Sequence, residues 1–330
     1  MKTEIKKRIA TITGNQSADD SEILIQVKDL LDEIELENKP PKDSKTIFEL
    51  FSENLKIIQS DYSGNLIKTG FASLDREIGG FSLGEFVVIG GRPSMGKTQL
   101  LTTLALNISL STPVLYFTYD LSEYLLTSRF MASLSGIATN KILQNNLTDD
   151  EKIELFSLKK QIQKHKIFIN DSCHNSVSAF KAQCLKQIQE NGIKIIIVDC
   201  LQMMSSKKDK NDRKHEINNF SKELKNIARD NNVCVIASSQ LSRAVEFRGG
   251  DMRPQLSDLR ESGAIEQDAD KVFFIYRLEY YGITEDTEGN SAEGQAELII
   301  SKNKNGSLGT IKLQRDAHFT TLKDLGNPLF

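Results

Sequence analysis

The sequence predicts an α/β fold: a mainly parallel central sheet covered by helices on both faces, preceded by a short helical N-terminal segment. Three observations predict it. From Thr69 onward, short apolar runs alternate with helical patterns, as in successive βαβ units. One of those runs, Glu85-Phe86-Val87-Val88-Ile89, leads into Gly91-Arg92-Pro93-Ser94-Met95-Gly96-Lys97-Thr98, which fits G-x-x-x-x-G-K-[ST] at every fixed position. A helical pattern from Gln99 to Leu106 follows, placing the loop at a helix N-terminus, where backbone N–H groups favour anions.

The elements can be justified in order. Ser21 can cap a helix carrying Ile23, Leu24, Val27, Leu30, Leu31 and Ile34 at helical spacing, and Asn38-Lys39-Pro40-Pro41 stops it. A second helix, about Lys45 to Gln59, shows Ile47, Phe48, Leu50, Phe51, Leu55 and Ile58, and Asp61 to Lys68 reads as a linker. Strands are expected over Phe86–Gly90, Val114–Tyr119, Ile167–Ile169, Ile193–Val198, Val233–Ser238 and Lys271–Tyr276. Ala296–Ser301 and Gly309–Gln314 read as an antiparallel hairpin around Asn305-Gly306, and Thr148 with Glu151 forms a capping box. The expected division is a helical N-terminal segment over 1–43, a linker helix and linker over 44–68, and the α/β domain over 69–330.

Composition narrows the classes. The chain of 330 residues suits one large domain with an appendage. A net charge of −3 gives no overall basic footprint, although a local basic channel can sit within an acidic protein. Cys173, Cys184, Cys200 and Cys234 are spaced too widely for a C-x-x-C pair, so buried thiols in a reducing cytosol are expected. No apolar leader region and no run approaching a membrane span is visible; a cytoplasmic location without membrane association is the expectation.

The loop from Gly91 to Thr98 carries the clearest chemistry. Its backbone N–H groups converge on nucleotide phosphates, Lys97 reaches the β- and γ-phosphates, and the Thr98 hydroxyl ligates Mg²⁺. The expected ligands are therefore a nucleoside triphosphate and Mg²⁺. Ile195-Ile196-Ile197-Val198-Asp199 is an apolar strand ending in an acid, the Walker B arrangement, whose carboxylate shares that Mg²⁺. Asp120, ending the strand after the loop helix, suits the positioning or deprotonation of an attacking water. Gln240 ends the Ser238-Ser239-Gln240 strand and can either sense the γ-phosphate or simply hydrogen-bond the strand end.

From about Thr69 to Leu322 the chain resembles the motor domain of DnaB-type replicative DNA helicases, a RecA-like P-loop NTPase. The residues that carry the resemblance are Thr69-Gly70-Phe71-x-x-Leu74-Asp75, Arg92 to Thr98, Asp199-x-Leu201-Gln202, Ser239-Gln240-Leu241-x-Arg243 and, most specifically, Asp258 to Asp270. The resemblance implies a homohexameric ring with ATP between neighbouring subunits and single-stranded DNA in the central channel. It implies that Arg243 joins the nucleotide site, that Lys302 and Lys304 act in catalysis, and that Arg260, Glu261 and Gly263 contact DNA phosphates. The run Lys207 to Lys214 either faces the same channel or is a solvated surface loop.

Two positions and the N-terminal segment depart from the family pattern. Asp120 stands where the family has Glu, and Lys304 stands where Lys302-Asn303-Lys304-Asn305-Gly306 is expected to carry an arginine finger. Asp shortens the reach by about 1.5 Å, and lysine lacks the planar fork of arginine. ATP binding is thus a firmer expectation than fast hydrolysis. Only residues 1–43 precede the linker helix, where the family has a collar domain that docks primase, which weakens the expectation of a primase partner. The readings are a slow ATP-driven helicase or translocase, a DnaB-like ring that binds ATP as a regulatory module, and third a recombinase.

Overall fold

The computed structural model describes residues 10–13, 27, 30, 44–59, 66–172, 176–204, 210–248, 250–259, 263–286, 288–316, 318 and 320–325, with the side chains of 210–213 excepted. The helix read around residues 21–37 lies outside them except for Val27 and Leu30, both helical. The chain divides into two compact units, Met1–Tyr62 and Ser63–Phe330.

In the first unit the helix Ile47–Gln59 begins where Thr46 and Glu49 cap each other: Thr46 N–H donates to Glu49 Oε2 at 2.7 Å and Glu49 N–H to Thr46 Oγ1 at 3.2 Å. None of its residues is buried.

The second unit opens with a two-stranded antiparallel piece, β1 (Leu66–Ile67) against β2 (Phe81–Ser82). Leu66 and Ile67 fall inside the stretch read as linker; pairing with β2 ties them to the larger unit. The main sheet comprises β3 (Phe86–Gly91), β4 (Val114–Thr118), β5 (Ile167–Asn170), β6 (Ile195–Asp199), β7 (Cys234–Gln240), β8 (Lys271–Tyr276), β9 (Gln295–Asn303), β10 (Gly309–Arg315) and β11 (Leu322–Asp324). Its order is β11-β10-β9-β8-β3-β7-β6-β4-β5. Pairs from β5 through β8 are parallel, and those from β8 to β11 are antiparallel.

Strands buried on both faces read as continuous apolar runs, and period-2 alternation sorts their side chains. Val87, Ile89, Tyr116, Ile195, Ile197 and Ile236 pack on one face with the helices Lys97–Ser109 and Glu123–Ser135. Val88, Phe117, Ile196, Val198, Val235 and Phe274 pack on the other with Val177–Asn191 and Lys210–Asn231. The last helix corrects the loop reading of the basic run: Lys210 to Lys214 form its first turns, while Lys207 to Asp209 lie outside the described residues. The capping box at Thr148 and Glu151 is present, and Cys184, Cys200 and Cys234 are buried free thiols. No described helix is long and apolar enough to cross a membrane.

Candidate functional site

β3 delivers the phosphate loop to the C-terminal edge of the parallel strands, where ligands gather in open α/β sheets. Glycine is needed here for two reasons. A Cβ on Gly91 would meet Ile275 Cγ2 at 2.8 Å, and Gly96 adopts φ +104 as it starts the helix Lys97–Ser109. Lys97 Nζ donates to the carbonyls of Gly91 at 2.9 Å and Arg92 at 3.0 Å, which holds the ammonium over the loop. Burial lowers the Lys97 pKa, with Arg92 adding to the effect and Cys200, Asp199 and Asp120 opposing it. Pro93 and Ser94 are exposed at the loop's tip, whereas Met95 is buried beneath it. Arg277 Nη1 donates to the Ser94 carbonyl at 3.0 Å and steadies the tip.

Asp199, only 4% exposed, is the hub beside the loop. Its Oδ2 accepts from Thr98 Oγ1 at 2.7 Å and Tyr116 OH at 3.2 Å, and its Oδ1 accepts from Ser238 Oγ at 2.5 Å. Burial, with the Asp199 charge, pushes the Tyr116 pKa well up and keeps that phenol a donor. Thr98 and Asp199, expected to share one divalent cation, are thus in direct contact. Among the described residues no group of three or more His, Cys, Asp or Glu offers an alternative metal centre.

The neighbouring strand ends complete this edge. Thr118 lies in register with Asp199, so the exposed Asp120 sits two residues past that pairing. Gln240 pairs in register with Gly91 at the loop's entrance. Its N–H donates to Gln202 Oε1 at 2.9 Å, while Gln202 Nε2 donates to Ser239 Oγ at 2.9 Å, leaving the Gln240 side chain exposed. Arg243 is also exposed, on the 3₁₀ turn Arg243–Phe247. Arg92 reaches that turn from the loop: Nε and Nη2 donate to Glu246 Oε1 at 2.9 and 2.8 Å, and Nη1 to the Leu241 carbonyl at 3.0 Å.

Lys302 and Lys304 lie at the other edge of the sheet, because Lys271, the first residue of β8, pairs with Asn303. Lys302 Nζ donates to the Glu266 carbonyl at the end of the helix Gly263–Asp268, and burial lowers its pKa. Lys304 Nζ donates to Asp270 Oδ1 at 2.9 Å. Asp270 Oδ2 accepts from Lys225 Nζ at 2.5 Å and Phe86 N–H at 2.8 Å. Burial raises the Asp270 pKa, but the bonds from Lys225, Phe86 and Lys304 outweigh it and the net shift is downward. Gly263 is exposed, with nothing within 4 Å of a Cβ built on it; Arg260 and Glu261 lie outside the described residues.

Sequence reasoning missed Tyr116 and Ser238 as partners of Asp199, and Asp270 and Lys225 as partners of Lys304. The only signal for the first pair was a phenol and a hydroxyl at even positions of otherwise apolar strands.

Comparison with known proteins fits this geometry. Residues 66–324 match the family model of the DnaB-like helicase C terminal domain. The chain is 38% identical over 264 residues to the replicative DNA helicase DnaC of Bacillus subtilis (strain 168), covering 79% of this chain and 56% of that protein. It is 36% identical over 276 residues to the replicative DNA helicase DnaB of Geobacillus stearothermophilus, covering 82% and 60%. The chain therefore spans less than two thirds of these relatives' length. A solved structure of a DnaB-like replicative helicase, described with its interactions with primase, superposes with a TM-score of 0.73 at 30% identity, covering 98% of this chain and 76% of the other. The RecA-like fold expected from the motifs is the fold found, and the chain belongs to the DnaB-like helicase family.

Proposed function

We propose that this chain is an ATP-dependent translocase or helicase acting on single-stranded DNA, assembled as a homohexameric ring, with slowed hydrolysis. The observation that carries the reading is the separation of its catalytic groups. The phosphate loop lies at one edge of the sheet and Lys302 and Lys304 at the other, with the length of β3 between them, roughly 16 Å at ~3.3 Å per residue. Lysines so placed cannot serve the phosphate loop of their own chain. They suit the nucleotide of a neighbour, which makes the active unit a seam between two copies.

In this reading the backbone from Gly91 to Gly96 cradles the triphosphate and Lys97 neutralises its β- and γ-oxygens. Thr98 and Asp199 would hold Mg²⁺, which when bound supplies charge neutralisation across the phosphates. The residues present fit that ion: a hydroxyl and a buried carboxylate in contact, beside a loop with room only for glycine at Gly91. Asp120 orients the attacking water, Gln240 reports the γ-phosphate to the following loop, and Arg243 flanks the nucleotide. Lys302 and Lys304 stabilise the charge that develops on the neighbour's phosphate. Arg260 pairs with a DNA phosphate, Gly263 lets backbone N–H approach closely, and Glu261 belongs to the same contacting loop. The stretch from residue 44 to the start of β1 serves as the linker between an N-terminal segment, 1–43, and the motor, which includes β1, and the protein works in the cytoplasm.

A second reading, a regulatory ring with little turnover, is favoured by the short reach of Asp120 and by the ion pair of Lys304 with Asp270. Steady-state ATPase with and without single-stranded DNA separates the two. Turnover that rises with DNA supports the motor; turnover below about 0.01 per second per subunit in both conditions supports the module.

A further inference from the structure

The 3₁₀ turn Arg243–Phe247 leaves β7 with Ser242 as its cap, whose Oγ accepts from the Ala244 N–H at 3.2 Å. One side of the turn is fixed. Val245 is buried in the core, and Glu246 is held by Arg92 of the phosphate loop. The other side faces outward, with Phe247 86% exposed. Single exposed apolar residues are ordinary on protein surfaces; the surroundings distinguish this one. Arg248 pairs with Asp258, Arg253 with Glu297 and Asp251, and Glu246 with Arg92, so these charges are neutralised internally.

A turn anchored on one side and carrying an exposed aromatic ring on the other suits an unpaired nucleic-acid strand, which offers base faces to the ring. A protein partner would more typically find a wider apolar patch. The loop's base is closed by the Leu241–Leu259 bridge and by Ser242 N–H donating to the Asp258 carbonyl at 2.9 Å. Phe247 therefore belongs to the same loop whose continuation leads to Gly263, assigned in the proposed function to DNA phosphates.

The geometry points to Phe247 as a base-stacking contact for single-stranded DNA. This rests on the single-strand-binding reading. It adds contact with bases to a grip otherwise made through phosphates, and it joins that contact to the nucleotide site through Arg92 and Glu246.

The test is a cycle of two proteins and two strands, read by anisotropy on the full chain with ATP and Mg²⁺. The strands are a labelled oligothymidylate and an abasic strand of equal length and charge. Wild type is expected to bind the abasic strand about five- to 150-fold more weakly than the oligothymidylate. Phe247→Ala should lose a similar factor on the oligothymidylate and bind the abasic strand as wild type does, so the two losses do not add. The slope of log Kd against log salt should be the same for both proteins, because no phosphate contact is removed. Undiminished binding of oligothymidylate by Phe247→Ala, or additive losses, overturns the inference alone. A wild type that binds no oligothymidylate overturns the single-strand reading and this inference with it. Phe247→Trp introduces a sole tryptophan into a chain that has none; its emission should be quenched on binding, and unchanged emission in a bound complex also overturns the assignment.

Discussion

Lys304 Nζ lies 2.9 Å from Asp270 Oδ1, on an aspartate whose other oxygen accepts the N–H of Phe86 at the start of β3. One carboxylate thus ties the β9–β10 turn to the edge of the sheet remote from Gly91. If Lys304 acts on a neighbour's nucleotide, two broken seams can make a working one. Lys97→Ala and Lys304→Ala should each abolish turnover alone. Mixed in equal amounts, they should recover about a quarter of wild-type activity, because one seam in four pairs an intact phosphate loop with an intact Lys304. Phosphate release measured over the mixing ratio reads this out, and mixtures as inert as their parents would remove the shared seam.

In the proposed mechanism Asp120 and Lys304 weaken the same step from two sides. Asp120→Glu extends the carboxylate by about 1.5 Å, and Lys304→Arg supplies a second donor to the transferring group while keeping the charge that meets Asp270. The double variant should raise kcat by about two decades or more, with KM for ATP changed much less, because both groups act on the transition state. A flat kcat would show that these two positions do not perform the assigned roles.

What could be read from the chain, and what could not, follows from the range of the interactions. The phosphate loop was legible because its strand, glycines, lysine and helix are contiguous, and the core strands because continuous apolar runs report burial on both faces. β11 escaped because Leu322-Lys323-Asp324 is too short to show a period, and β1 and β2 because they have two residues each. The helix Lys210–Asn231 starts in a stretch so charged that its apolar stripe, Ile217, Phe220 and Leu224, emerges only later. The partners of Asp199 and Lys304 come from distant strands and helices, so only the folded sheet brings them together.

Lys97 gives nucleotide binding a predictable pH dependence. Burial lowers its pKa in the free protein, and a bound triphosphate, by its negative charge, would raise it again. In the alkaline range between the two values, binding must take up a proton, so ATP affinity falls as pH rises through the free-protein pKa. Below that value Lys97 is protonated in both states and the dependence flattens. Calorimetric titration in buffers of different ionisation enthalpy should show proton uptake in the alkaline range that Lys97→Met lacks. Equal uptake by Lys97→Met would assign the proton to another group.

The helix Ile47–Gln59 makes the assembly itself testable. Phe48 is 76%, Phe51 59% and Ile58 72% exposed, on a helix with no buried residue. Covering a face this apolar removes it from water, and each large side chain so covered contributes about 1.5–3 kcal/mol. If this helix closes the proposed ring on a neighbouring subunit, Phe48→Asp with Phe51→Asp removes two such contributions and places charge in the contact. The variant should run as smaller species by light scattering and lose ATPase, since its seams come apart. Its thermal unfolding should stay close to that of wild type at concentrations where both are dissociated, because exposed positions outside the core contribute within about 0.5 kcal/mol. An unchanged oligomer would mean that another surface closes the ring and that this helix serves a different contact.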